Sequence, residues 1–281
     1  MGQAYAGMGA ADPRLDVHGK LDFRLTSLYK SWTKVDPPPS RVKPLPMTLL
    51  RQVVSLARRS ECRIARAEAD TLTIGVFFLL RPGEYVGRPN DATDSLFRMR
   101  DLSLWIGARA IDPFTAPVSD LRAATFASLT FTRQKNGVRG EKIGHGRSGD
   151  PHLCPVLCLV ARVIALRTLP ATPATPLNAY RPTPTSAVQY ILSTDLTRRI
   201  RATLAIYPDP SYLPTDVSAR STRAGGAMAL LCAGVGSDRL RMIGRWKSDE
   251  LFRYLHVQAQ PIMTGLSAAM LRGGSFRMAP G

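Results

Sequence analysis

The sequence predicts a mainly α fold with a small antiparallel β-sheet, an α+β class, on three observations. Apolar residues recur at helical spacing from 47 to 80 and again from 154 onward. Between these stretches, 104–106 and 126–131 are short, rich in aromatic and branched residues, and bounded by Pro or Gly, the pattern of strands. The pair Asn136-Gly137 then supplies a hairpin-turn signal. With 281 residues, 44% of them hydrophobic and 21% charged, the chain can build one large core or two smaller ones.

Residues 1–42 end in Asp36-Pro37-Pro38-Pro39-Ser40, a run that cannot continue a helix and reads as a stiff linker. Within them Leu21, Leu25 and Leu28, with Phe23 and Trp32, predict one short amphipathic helix. From Met47, the residues Leu49, Leu50, Val53, Val54, Leu56 and Ala57 form a single apolar stripe. A fully apolar helix over 65–80 follows and stops at Arg81-Pro82-Gly83. Later helices are expected at 154–167, with Pro155 in the first turn, and at 186–204, 218–233, 237–243 and 248–256. Ser237 and Ser248 each precede an Asp, which suits both cap and helix dipole. The expected organisation is 1–42 as a separate element and 43–281 as one domain.

Composition narrows the function classes. Lys and Arg number 38 against 21 Asp and Glu, a net charge of +17, with a pI near 10.5. Solubility alone needs only about 2–8 net charges on a small domain. The excess therefore argues for a polyanionic partner, most simply nucleic acid. The longest apolar run, 72–80, is interrupted by Thr73 and Gly75 and falls far short of the ~20 residues that span a bilayer. The N-terminus has neither the basic start nor the apolar core of a signal peptide, so a secreted or membrane protein is not expected. Cys62, Cys154, Cys158 and Cys232 form no CxxC pair. Cys154 and Cys158, at helical spacing beside Leu157 and Leu159, read as core packing rather than metal ligands.

Several basic and aromatic residues stand out in order. Arg81 ends the apolar helix, where a guanidinium without polar neighbours is costly unless partnered; Glu84, three residues on, can hold it. The plain reading is an arginine capping helix carbonyls. Lys135 projects from a strand end beside the tight turn, and taken alone it is an ordinary hairpin lysine. Arg220 and Arg223 sit three apart at a helix start, a ready anion site against the plain reading of a solvated basic face. Gly225-Gly226 within that helix costs roughly 1 kcal/mol each relative to Ala, which suggests close packing or a nearby ligand. Finally come Gly244-Arg245-Trp246 and Arg253-Tyr254; a lone late Tyr is usually half-buried packing.

The ordered set Arg81, Lys135, Arg220-x-x-Arg223, Trp246 and Tyr254 resembles the catalytic domain of the tyrosine recombinase (phage integrase) family. That family runs Arg, hairpin Lys, His-x-x-Arg, His or Trp, then Tyr. Its closing helices resemble Cys232-Ala233-Gly234-Val235, Ile243-Gly244-Arg245-Trp246 and Arg253-Tyr254, and the likeness covers about 43–257. The wording of Ser221-Thr222-Arg223-Ala224-Gly225-Gly226-Ala227 and Gly244-Arg245-Trp246-Lys247-Ser248-Asp249 is most similar to recombinases of Crypton- or DIRS-type mobile elements.

The resemblance implies cleavage and rejoining of double-stranded DNA through a covalent 3′-phosphotyrosine on Tyr254, chemistry of the type IB topoisomerase kind. It implies Arg81 and Arg223 on the phosphate oxygens, Lys135 as general acid, Trp246 as a buttress, and Glu84 and Arg245 as supports. Neither metal nor other cofactor is implied. The same likeness implies a homotetramer on DNA joined through the C-terminal segment, and a nuclear location in a eukaryote or a cytoplasmic one otherwise. Residues 1–42 would correspond to the last helix of a core-binding domain, or its remnant, with a linker.

Two positions depart from the family pattern. Arg220 stands where His is usual, and a guanidinium does not give up its proton. The family's spacing of nine back from Tyr254 lands on Arg245, while Trp246 is eight away; chemistry favours Trp246. A catalytically silent DNA-binding remnant is the alternative. A basic RNA-binding or ribosomal protein would explain the charge but not the ordered residues.

Overall fold

A computed structural model describes residues 8, 12–16, 18–35, 42–89, 95–132 and 140–246. The chain separates into two units, Met1–Arg41 and Val42–Gly281. In the first, helix α1 (Phe23–Val35) follows an antiparallel bridge between Leu15 and Leu21.

The second unit is built around a buried helix. Helix α2 (Met47–Arg59) buries the predicted stripe Leu49, Leu50, Val53, Val54 and Ala57. Helix α3 (Arg63–Phe77) is buried on every side from Ala65 to Val76 apart from the exposed Arg66; it ends at Phe77 rather than Leu80, and Glu68 and Asp70 make it less than the fully apolar helix expected. Its buried carboxylates are both paired. Glu68 meets Arg199, and Asp70 lies 2.5 Å from Arg58 of α2. Desolvation raises the pKa of each against these partners, so the ion pairs hold α3 in place only as long as both members remain.

Past Phe77 the chain turns sharply. Leu79 takes a left-handed conformation, φ 51°, and Arg81 is extended, as the residue before a proline should be. Pro82 then opens the short helix α4 (Pro82–Tyr85).

Strands β1 (Leu102–Ile106), β2 (Arg109–Ile111), β3 (Phe126–Phe131) and β4 (Glu141–Gly146) form an antiparallel four-stranded sheet in the order β2-β1-β3-β4. The register pairs Leu104 with Ala127 and Leu129 with Ile143. Helix α5 (Val118–Ala123) joins β2 to β3. Helix α6 (Pro155–Leu166) packs on α3 with Cys158 buried among the apolar residues, as its spacing predicted.

One expected helix starts late. Residues 189–190 form strand β6 (Gln189–Tyr190) against β5 (Ala179–Tyr180), and α7 runs only from Ser193 to Ile206. The Asp195 carboxylate accepts the Leu192 N–H at 2.9 Å and so fixes the helix start, a cap hidden behind residues 186–192, which read equally well as helix. Helices α8 (Ser221–Cys232) and α9 (Ser237–Gly244) complete the described residues. The helix expected over 248–256 lies outside them. No helix among the described residues is long and apolar enough to cross a membrane.

The glycine pair in α8 is explained by close packing. A Cβ on Gly225 would overlap the Leu45 carbonyl oxygen, and one on Gly226 the carbonyl oxygen of Val76 in α3. Backbone cannot yield as a side-chain tip can. We therefore expect Gly226→Ala to lower stability by about 1–3 kcal/mol in urea unfolding, the range for overpacking; a variant as stable as the parent would contradict this contact.

Candidate active site

The end of α3, the start of α4, and the facing ends of α8 and α9 assemble an arginine cluster. Leu79, Ala227, Leu240 and Trp246 form a small apolar cluster of their own beneath it. Arg223, in the first turn of α8, is 2% exposed. Its guanidinium donates to the Leu79 carbonyl at 2.6 Å and to the Gly244 carbonyl, and lies 4.4 Å over the Trp246 ring. The absence of a Cβ at Gly244 makes room for that ring.

Arg245 reaches the same place from α9. It is left-handed, φ 57°, and its guanidinium is 3.6 Å over the Phe131 ring at the end of β3. It donates to Glu84 at 3.0 Å and, at 3.4 Å, to the carbonyls of Phe78 and Leu79. Burial holds its pKa down at about 10, against the opposing pull of Glu84. Glu84, itself buried, also accepts the Arg81 N–H at 2.8 Å and the Arg81 guanidinium at 3.1 Å.

Arg81 thus keeps a partly exposed side chain held by a buried carboxylate. Chemically, Arg81 is the described cation of the cluster best disposed to meet an anion arriving from solvent. Arg223 and Arg245 stiffen the floor.

Of the residues singled out in the sequence, Arg81, Glu84, Arg223, Arg245 and Trp246 come together. Arg220, at the start of α8, is exposed; its backbone N–H binds Ser218 Oγ at 3.2 Å. Lys135 and Tyr254 lie outside the described residues. Phe131, at the end of β3, stacks on Arg245. Trp246, favoured for the family's His or Trp position, stacks on Arg223, while Arg245, expected as a support, pairs with Glu84.

Sequence reasoning missed the Leu79 carbonyl and His145. Nothing in Leu79-Leu80 signals a left-handed residue. His145, on β4, stands edge-on to Phe78 with ring centroids 4.7 Å apart. Desolvation lowers its pKa, a hydrogen bond with the Phe77 backbone opposing.

Two outcomes follow from these charges. Glu84→Gln leaves the buried Arg245 without its carboxylate, so urea unfolding should show a loss of about 3–5 kcal/mol. Adding Arg245→Met should recover part of it, and strict additivity would show the pair is not coupled. For His145 the folded state binds its proton less readily than the unfolded state. Stability is therefore full above the ordinary value of 6.5 and falls as pH drops from there toward the folded pKa. His145→Phe should flatten the stability profile between pH 5 and 7, and a profile unchanged by the substitution would exclude this source.

Solved structures share the architecture. The XerH site-specific recombinase, bound to difH substrate in a pre-cleavage complex, matches over 91% of this chain and 58% of its own with TM-score 0.50 and 10% identity. The Tn1549 transposon integrase in complex with transposon right end DNA gives 0.46 and 13% over 85% and 68%. With circular intermediate DNA the same integrase gives 0.47 and 13% over 90% and 75%. This chain thus spans little more than half the length of the XerH chain. Neither a family model nor a curated protein matches the sequence. The mainly helical architecture with its small antiparallel sheet, expected from the sequence, is the fold that the XerH site-specific recombinase shares.

Proposed function

We propose that the chain is a DNA strand-transfer enzyme, a site-specific recombinase or integrase of the Crypton or DIRS mobile-element kind. The observation that carries this reading is the cluster at the end of α3, where Arg81, Glu84, Arg223, Arg245 and Trp246 meet. Arg81, Arg223 and Trp246 are residues that the family's ordered pattern picks out, Arg245 adjoins one of them and Glu84 supports another, and the five are drawn from three separate stretches of the sequence. The net charge of +17 supports a duplex DNA partner.

In this reading the Tyr254 oxygen attacks the scissile phosphorus and gives up its proton to solvent water, since Arg220 cannot accept it. A phosphotyrosine forms on the 3′ side as the bond to the 5′-oxygen breaks, and Lys135 protonates that leaving oxygen. Negative charge builds on the non-bridging oxygens at the transition state, and preorganised cations there contribute most to rate. Arg81 supplies one, aimed by Glu84. Arg223 supplies a second by exchanging the Leu79 and Gly244 carbonyls for phosphate oxygens, Trp246 moving with it. The reverse attack by a 5′-hydroxyl reseals the strand without ATP. A homotetramer on DNA, joined through the C-terminal segment, and a nuclear location in a eukaryotic host belong to the same proposal.

A catalytically silent DNA-binding remnant is the second reading. The burial of Arg223 favours it, as does Arg220 in place of a proton-exchanging His.

A nicked suicide duplex followed by a denaturing gel separates the two. Wild type should give a covalent adduct, Tyr254→Phe none with duplex affinity nearly unchanged, and Arg220→His a higher yield. Absence of adduct from wild type and Arg220→His alike would establish the silent remnant. In either reading, duplex affinity should fall at least about tenfold between 50 and 200 mM salt, as counterion release demands; a salt-independent affinity in a filter-binding titration would contradict a phosphate-binding face.

A further inference from the structure

At the other end of α3, about 20 Å of helix away from Arg81, lies a cleft of about 540 Å³ with no part in the chemistry above. Its floor is the outer face of α6, where Leu157, Ala161, Ile164 and Ala165 recur at helical spacing and remain half-buried or exposed. Arginines border it from several elements: Arg58 of α2, Arg63 and Arg66 of α3, Arg122 of α5, and Arg181 after β5. Asp70, the one acid among the described residues lining the cleft, is already paired with Arg58.

We propose that this cleft is a docking groove for an acidic amphipathic helix of a partner protein. The apolar stripe from Leu157 to Ala165 is about 12 Å long, a match for two turns of a helix laid along α6. The surrounding arginines select a partner whose flanking residues are Asp or Glu. Charge also disfavours two of the chain's own segments as occupants: 23–35 carries Arg24, Lys30 and Lys34 and no acid, and 247–281 holds more Lys and Arg than Asp and Glu. A DNA backbone would use the arginines but has nothing to place on an aliphatic floor.

Fluorescence anisotropy with a labelled, acetyl-capped 15-residue peptide tests this, using Leu along one helical face and Glu elsewhere, beside a scrambled peptide of the same composition. The patterned peptide should bind at micromolar concentration and the scrambled one at least about tenfold more weakly. Ala165→Glu, on an exposed position, and the pair Arg63→Glu with Arg66→Glu should each weaken the patterned peptide at least about tenfold, because like charges then face each other. Thermal melts should match the parent, since all of these positions are exposed. Equal binding of the two peptides, or binding indifferent to these substitutions, would overturn the proposal. So would a tenfold loss of duplex affinity in Arg63→Glu with Arg66→Glu if duplex and peptide exclude each other, which would assign the arginines to DNA.

Discussion

The carbonyl of Leu79 accepts hydrogen bonds from the guanidinium groups of Arg223 and Arg245, and the geometry of the site depends on it. A buried guanidinium is stable only with its donors satisfied, so both side chains are drawn to the same point. Leu79 presents that carbonyl because it is left-handed, a conformation costing about 1–3 kcal/mol outside glycine. Arg245 is left-handed too. Strain at these positions is offset by the buried Glu84–Arg245 pair, by stacking on Phe131 and Trp246, and by the close approach of α8 to α3 at Gly226. Loosening any of these would free the arginines from a common orientation.

Much of this was legible in the sequence for a physical reason. The stripe of α2 and the largely apolar run of α3 are periodic signals, but α3 ends at Phe77, before the stop that Pro82 marks, because Leu79 turns left-handed. Arg81 and Glu84 are close in sequence, so their pairing is nearly local. The late start of α7 was hidden, because Gln189-Tyr190 becomes a strand only through pairing with Ala179-Tyr180. The division of labour between Arg245 and Trp246 was hidden as well. Neighbours at the end of a helix diverge according to whether the backbone turns left-handed, and no residue type at 245 announces that turn.

The second unit carries positive charge at both ends of its central helix, and burial separates their characters. At the Arg81 end the cations are locked in hydrogen bonds with carbonyls and one carboxylate, suited to a ligand that competes group for group, as a phosphate does. At the Arg63 end Arg63, Arg66 and Arg122 stand exposed around aliphatic side chains, the pattern on which the proposed acidic amphipathic partner rests.

In the proposed strand transfer a DNA phosphate competes with the Leu79 and Gly244 carbonyls for Arg223, moving Trp246 as it does so. The emission of Trp246 reports this most directly in a chain where Trp32→Phe and Trp105→Phe leave it the sole tryptophan. Saturating nicked duplex should shift that emission to longer wavelength as the ring leaves its buried seat, and Arg223→Ala should abolish the shift. Emission unchanged while anisotropy shows the duplex bound would mean that Arg223 stays on its carbonyls, and that the cluster braces the fold without touching DNA.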